Sequence, residues 1–176
     1  MEVKKVVVGS LQTNCYLLIN DDKCLIVDPG DEAEKIKEEI SNKTVVGILI
    51  THHHFDHVGA LNILKEFYQT KVYDYHNLKE GNYNIENFSF EVIYTLGHTD
   101  DSVTYYFKDY NIMFVGDFIF KGSIGRTDLP TGDINKMEES LNKIKNYHDN
   151  IKIFPGHGDE TTLGYERDNN YFLIGK

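Results

Sequence analysis

The sequence predicts a single layered α/β domain over residues 1–176. Three observations carry that prediction. Short runs rich in β-branched and aromatic residues recur along the chain and are broken by turn residues, as strands are. Three stretches place apolar residues three and four apart among charged ones, the mark of helices that bury one face. Strand groups mixed with such helices pack as sheets covered by helices, and a chain of this length can bury a core of its own.

Taken in order, Val3 to Val8, Cys15 to Ile19 and Lys23 to Val27 read as strands, separated by Gly9-Ser10 and by Asn20-Asp21-Asp22. The third ends at a turn signal, Asp28-Pro29-Gly30. Residues 31–42 read as a surface helix with Ala33, Ile36 and Ile40 inward. Val45 to Thr51 is a continuous apolar strand, expected to be buried on both faces. A helical pattern runs from Val58 to Tyr68, with Leu61, Leu64 and Phe67 on one side. Further strands are expected at Lys71 to Tyr73, Phe90 to Tyr94, Val103 to Phe107 and Ile112 to Val115. Ile134 to Tyr147 is another amphipathic helix (Met137, Leu141, Ile144), and Ile151 to Phe154 is a last strand. No repeat or low-complexity tract interrupts the pattern.

Composition narrows the function classes. Net charge is -10, from 18 basic and 28 acidic side chains, which argues against nucleic acid and acidic membrane surfaces as partners. No apolar run approaches the roughly 18 to 20 residues that span a bilayer. Met1-Glu2-Val3-Lys4-Lys5 enters a strand rather than a signal-peptide stretch, so a cytoplasmic enzyme is expected. Cys15 and Cys24 each sit in an apolar run and read as small buried hydrophobes, not as a thiolate metal site or a disulfide.

Against this ordinary background one segment stands out. Within six residues, His52, His54, Asp56 and His57 offer three imidazoles and a carboxylate. In an extended segment His52 and His54 fall on one side, which suits two imidazoles converging on one ion, while Asp56 and His57 can face a second. Imidazole with carboxylate suits zinc, iron or manganese and is too hard a set to select copper. Three later residues extend the pattern: His98, Asp117 and His157 each follow a glycine after an apolar run, where the backbone turns and presents a side chain. Loops leaving one edge of a rigid sheet can bring all four segments to one cleft. His53, His76 and His148 read as surface histidines.

Thr51-His52-x-His54-x-Asp56-His57, with Gly97-His98, Gly116-Asp117 and Gly156-His157, resembles the metallo-β-lactamase superfamily. Within it the likeness is to the glyoxalase-II-like hydrolases, hydroxyacylglutathione hydrolases, with Phe55 where they carry Trp. The stretches 114–130 and 155–166 resemble the single-domain branch of that group, which lacks the C-terminal helical substrate domain. The resemblance implies a four-layer αββα sandwich, with the site at one edge. It implies two divalent ions, zinc first and iron or manganese as alternatives. His52, His54 and His98 would hold one ion, Asp56, His57 and His157 the other, and Asp117 would bridge them. Asp56 and Asp117 are the candidate catalytic carboxylates. Asp28 would orient a ligand imidazole, or else serve only as a turn residue before Pro29.

Two adjacent cations acidify a shared water and polarise a carbonyl, and a thioester suits such a site because its leaving thiolate is stable near neutral pH. The expected substrate is therefore S-(2-hydroxyacyl)glutathione or a related small thioester or ester. Arg126 is the candidate contact for the thiol's carboxylate, with a surface role as its alternative. Asp128 occupies the family's aromatic contact position, and Gly158-Asp159 follows the last ligand, two departures that loosen any specific fit to glutathione. Two other readings stay open: a mononuclear iron persulfide dioxygenase, and a non-catalytic metal-stabilised binding module.

Overall fold

Strands β1 (Glu2–Val8), β2 (Thr13–Asn20) and β3 (Lys23–Val27) form an antiparallel meander in the computed structural model, which describes residues 1–174. Helix α1 (Ala33–Ile40) crosses over to β4 (Thr44–Leu49), which lies parallel to β3. The short α2 (Phe55–Val58) and α3 (Leu61–Tyr68) then lead to β5 (Val72–Tyr73), parallel to β4, completing a sheet in the order β1-β2-β3-β4-β5. The helix expected from Val58 to Tyr68 is thus two pieces. At the break Ala60 N donates to the Pro29 carbonyl at 3.0 Å instead of to its own helix, and Gly59 packs so closely on Gly30 that a Cβ there would lie 2.3 Å from the Gly30 carbonyl oxygen.

The second half adds β6 (Gly81–Ile85), β7 (Phe88–Tyr94), β8 (Val103–Phe107) and β9 (Ile112–Gly116) as antiparallel neighbours. A hairpin, β10 (Ile119–Phe120) and β11 (Ser123–Ile124), precedes α4 (Ile134–Ile144). The chain then returns through β12 (Lys152–Pro155), parallel to β9, and ends its regular structure with β13 (Thr161–Thr162) and α5 (Leu163–Asn169). The resulting sheet runs β13-β12-β9-β8-β7-β6. Strand β6 escapes a sequence reading because Gly-Asn-Tyr-Asn-Ile carries poor strand formers; seven-residue β7 holds it in register at the sheet edge.

Side-chain alternation makes the layers. On β2, Tyr16 and Leu18 face one way and join Leu25, Val27 and Leu49 against Phe88, Phe90, Val92, Tyr105, Phe114 and Phe154 of the other sheet. Cys15 and Leu17 face the opposite way, onto Ile36 and Ile40 of α1 and Leu64 of α3. The outer face of the second sheet packs Met113, Val115 and Ile153 on Met137, Leu141 and Ile144 of α4. Three cores between four layers make the αββα sandwich, and Leu and Ile side chains buried in it contribute roughly 1.5–3 kcal/mol each. Strands β7, β9 and β12 run in one direction, so their C-terminal ends reach one edge, where the segment after β4 meets them.

Candidate metal centre

All seven residues singled out as metal ligands meet at that edge. The donor atoms of His52, His54 and His98 lie within 4.8 Å of one another, as do those of Asp56, His57 and His157. Asp117 stands between the two groups. Its Oδ1 is 3.3 Å from His57 Nε2, and its Oδ2 is 3.5 Å from His157 Nε2 and 3.6 Å from His98 Nε2. His54 Nδ1 and His98 Nε2 come to 2.9 Å, and the His52 and His57 rings to 4.1 Å between centroids.

The backbone that achieves this is specific. The turn after β9 needs Gly116 at φ +53°, where a Cβ would strike Thr51 Oγ1 at 2.2 Å. Gly156 is different: its φ is not left-handed, and what it supplies is room. A Cβ there would lie 2.2 Å from Asp117 Oδ1 and 2.6 Å from His57 Cε1, inside the space the carboxylate and imidazole share. The sharp turn expected at this glycine is therefore a close approach instead.

Four of the five imidazoles are tied on their far side. His57 Nδ1 meets Asp28 Oδ2 at 3.0 Å, His52 Nδ1 meets Thr51 Oγ1 at 3.1 Å, His98 Nδ1 meets the Arg126 carbonyl at 2.8 Å and His157 Nδ1 meets the Leu11 carbonyl at 3.1 Å. Asp28 also accepts from Thr51 N and Thr51 Oγ1, at 2.8 and 2.6 Å. Thr13 Oγ1 donates to Asp56 Oδ2 at 2.9 Å. These ties set which ring nitrogen points inward, the arrangement that orients metal-binding histidines. Leu11 and Thr13 carry no motif signal, since the roles belong to a carbonyl and a hydroxyl brought in by the β1–β2 turn.

Electrostatics divides the two groups. Burial drives His52 well below the usual histidine range, helped by the neighbouring His57; burial and His98 lower His54 as well. For His57 burial acts in the same sense, but the carboxylates of Asp117 and Asp28 outweigh it and raise it to about 10. His157 rises to about 9 against burial, through Asp117 and Asp56. Burial pushes the carboxyls up, yet His157 and His57 carry Asp56 down to about 2 and Asp117 well below the usual carboxylate range.

The residues fit divalent ions. His52 Nε2, His57 Nε2 and Asp117 Oδ1 are buried, face the shared space and have no hydrogen-bond partner, the last two meeting only as an ion pair at 3.3 Å. Stranded buried polar atoms are costly unless something meets them, and neutral imidazole with carboxylate is a donor set for zinc-class or iron-class cations.

The remaining expectations distribute as follows. Arg126 is exposed and is held by Asp128, Nε to Oδ1 at 2.7 Å and Nη2 to Oδ2 at 2.8 Å. Its carbonyl supports His98, a role the sequence reading missed. A cleft of about 160 Å³ lined by Leu11, Thr13, Phe55 and Asp56 opens beside the second group, with Leu11 and Phe55 largely exposed. His53, expected as a surface residue, is exposed but engaged: Asp101 Oδ2 lies 2.6 Å from its Nδ1. His148 is exposed.

Comparison with known proteins gives the family and the fold. The family model described as metallo-beta-lactamase superfamily matches residues 8–83 and 78–157. The chain is 36% identical to the probable metallo-hydrolase YqgX of Bacillus subtilis, covering 99% of both, and 32% identical to the hydroxyacylglutathione hydrolase GloC of Haemophilus influenzae, covering 100% of both. Among solved structures it resembles BLEG-1 B3 metallo-beta-lactamase, with TM-score 0.95 at 33% identity over 99% of this chain and 100% of the other. It also resembles TTHA1623 in a di-iron-bound form, with TM-score 0.90 at 32% identity over 97% and 100%.

Proposed function

Given that the chain belongs to the metallo-beta-lactamase superfamily of metal-dependent hydrolases, we propose that it is a dinuclear thioesterase of the hydroxyacylglutathione hydrolase type. The observation that carries this is the pair of donor groups on either side of Asp117, with His52 Nε2, His57 Nε2 and Asp117 Oδ1 stranded between them. His52, His54 and His98 would hold one ion, Asp56, His57 and His157 the other, with Asp117 shared. Zinc is the ion proposed, iron and manganese being compatible with the same donors. Bound there, two divalent ions supply Lewis acidity that acidifies water and polarises a carbonyl.

The chain's own residues arrange the rest. Asp28, the Arg126 carbonyl and the Leu11 carbonyl fix three ligand imidazoles, and Thr13 fixes the carboxylate of Asp56. No cysteine competes as nucleophile: burial pushes Cys15 far above the usual thiol range and Cys24 to about 12. A thioester suits a site without a built general acid, because a thiolate leaves unaided. Leu11 and Phe55 offer an apolar wall beside Asp56 for the small acyl or thiol portion of a substrate. Arg126 would take the carboxylate of an anionic thiol carrier by exchanging it for Asp128. The hydroxyacylglutathione hydrolase at 32% identity supports this substrate class. A cytoplasmic setting belongs to the same proposal; no helix among the described residues is long and apolar enough to cross a membrane.

The test is hydrolysis of S-D-lactoylglutathione by metal-quantified protein. About two metals per chain, activity abolished by a chelator, and loss of activity in Asp117→Ala are expected. One tightly held iron with oxygen uptake on a persulfide would replace this reading with a dioxygenase. Faster turnover of a β-lactam than of any thioester would make it a lactamase, and metal binding without turnover would leave a binding module.

A further inference from the structure

His53 lies between His52 and His54 in sequence but faces the other side of the loop. Its Nδ1 is 2.6 Å from Asp101 Oδ2, and its Nε2 is 3.4 Å from Asp74 Oδ2. The His76 ring lies beside it, centroids 5.2 Å apart and planes at 43°. One donor atom from each of His53, His76 and Asp101 falls within 4.8 Å of the others. These residues come from three segments: the loop after β4, the turn after β5, and the turn before β8.

We propose that His53 and His76, with the flanking carboxylates of Asp74 and Asp101, form a third, auxiliary site for a zinc-class divalent cation, separate from the seven-residue centre. Asp101 engages Nδ1 and so presents Nε2, the carboxylate–imidazole pairing that supports metal ligands. The 3.4 Å between His53 Nε2 and Asp74 Oδ2 matches two ligands each about 2.0–2.1 Å from one tetrahedral zinc, which stand roughly 3.3 Å apart.

Both carboxylates are already held in place. Asp74 Oδ1 accepts from His76 N and Asn77 Nδ2, each at 2.9 Å, which leaves Oδ2 toward His53. Asp101 Oδ1 accepts from Thr99 Oγ1 at 2.7 Å. The two carboxylates are nearly buried while the two imidazoles are exposed, so an ion would enter from solvent onto a prepared anionic floor. The two carboxylates carry a formal charge that one dication cancels. Because His53 adjoins two residues of the main centre, an ion here pins their loop from outside.

Equilibrium dialysis of the metal-loaded protein against zinc chloride near neutral pH, with zinc counted per chain, tests the site. Wild type is expected to hold one zinc more than His76→Ala, and His148→Ala is expected to match wild type. His76 is exposed, so its truncation leaves the fold intact; Asp74→Asn should lose the same equivalent. Equal zinc in wild type and His76→Ala, or an equal loss in His148→Ala, overturns the proposal. The readout is a difference between variants at fixed zinc, so the presence or absence of thioesterase activity does not alter it.

Discussion

His52, His54 and His98 face chiefly one another, with only Asp117 reaching them, 3.6 Å from His98 Nε2, whereas His57 and His157 face both Asp56 and Asp117 across the same cleft. In the first group burial and neighbouring imidazoles hold His52 and His54 neutral; in the second, carboxylates overcome burial and keep His57 and His157 protonated when no ion is bound. The same residue type is thus prepared in two ways within one site. A cation entering the first group finds free lone pairs, and one entering the second must displace protons while gaining anionic ligands. The two positions should therefore differ in how their affinity responds to pH and to the residues behind them.

The strongest break in that comparison is to remove one side. His57→Ala should hold one metal instead of two and lower thioester turnover on the order of 10³-fold, because an ion supplies several kcal/mol of charge stabilisation. Metal counting alongside kinetics checks it. If His57→Ala empties both positions, the two groups act as one unit and the contrast fails.

Removing only the support is milder. Asp28→Asn keeps the shape but supplies an amide where Thr51 and His57 present donors. Metal affinity should fall roughly 10–100-fold, most at the second ion, as lost outer partners usually cost, because Asp28 meets His57 directly and His52 only through Thr51. Competition with a calibrated chelator measures this, and an equal loss at both positions would contradict it.

A change of pH sharpens the contrast without mutation. At pH 7 His57 (about 10) and His157 (about 9) are protonated, so binding the second ion expels protons. Its affinity should rise about tenfold per pH unit for each proton displaced, up to those values, while the first ion responds little because His52 and His54 are already neutral. Calorimetry in two buffers of different ionisation enthalpy counts the released protons; none released on the second binding event would refute the assignment.

The smallest effect lies at the rim. The side chains of Arg126 and Asp128 are exposed and tied to each other, unlike the anchored ligands. Arg126→Ala should raise KM for a glutathione thioester only a few-fold and leave kcat unchanged, in keeping with the weakness of exposed ion pairs. Steady-state kinetics with a charged and an uncharged thioester separates the two parameters; a large fall in kcat would place Arg126 deeper in the chemistry.

How legible each part was follows from how local its cause is. The order of strands and of the α1, α3 and α4 helices could be read because periodicity records which side chains must be buried. The edge strand β6, the small hairpin β10–β11, β13 and the short α5 could not, since they are too short or too poor in strand formers to leave a periodic signal and the strands are held by their pairing partners rather than by their own propensity. Gly116 was legible as a turn, but Gly156 looked the same in sequence and turned out to be needed for space around Asp117 and His57.

The sequence by itself determined the donor set, because His52, His54, Asp56, His57, His98, Asp117 and His157 are the atoms that suit a hard or borderline cation wherever the backbone puts them. Their division into two groups was implied by the family likeness, and tertiary structure alone decided how they are anchored and charged. Asp28 reaches His57 across 29 positions, the Leu11 carbonyl reaches His157 across 146, and the Arg126 carbonyl reaches His98 across 28. Burial and charge depend on distance in space, and chain separation carries no record of it until the two sheets close.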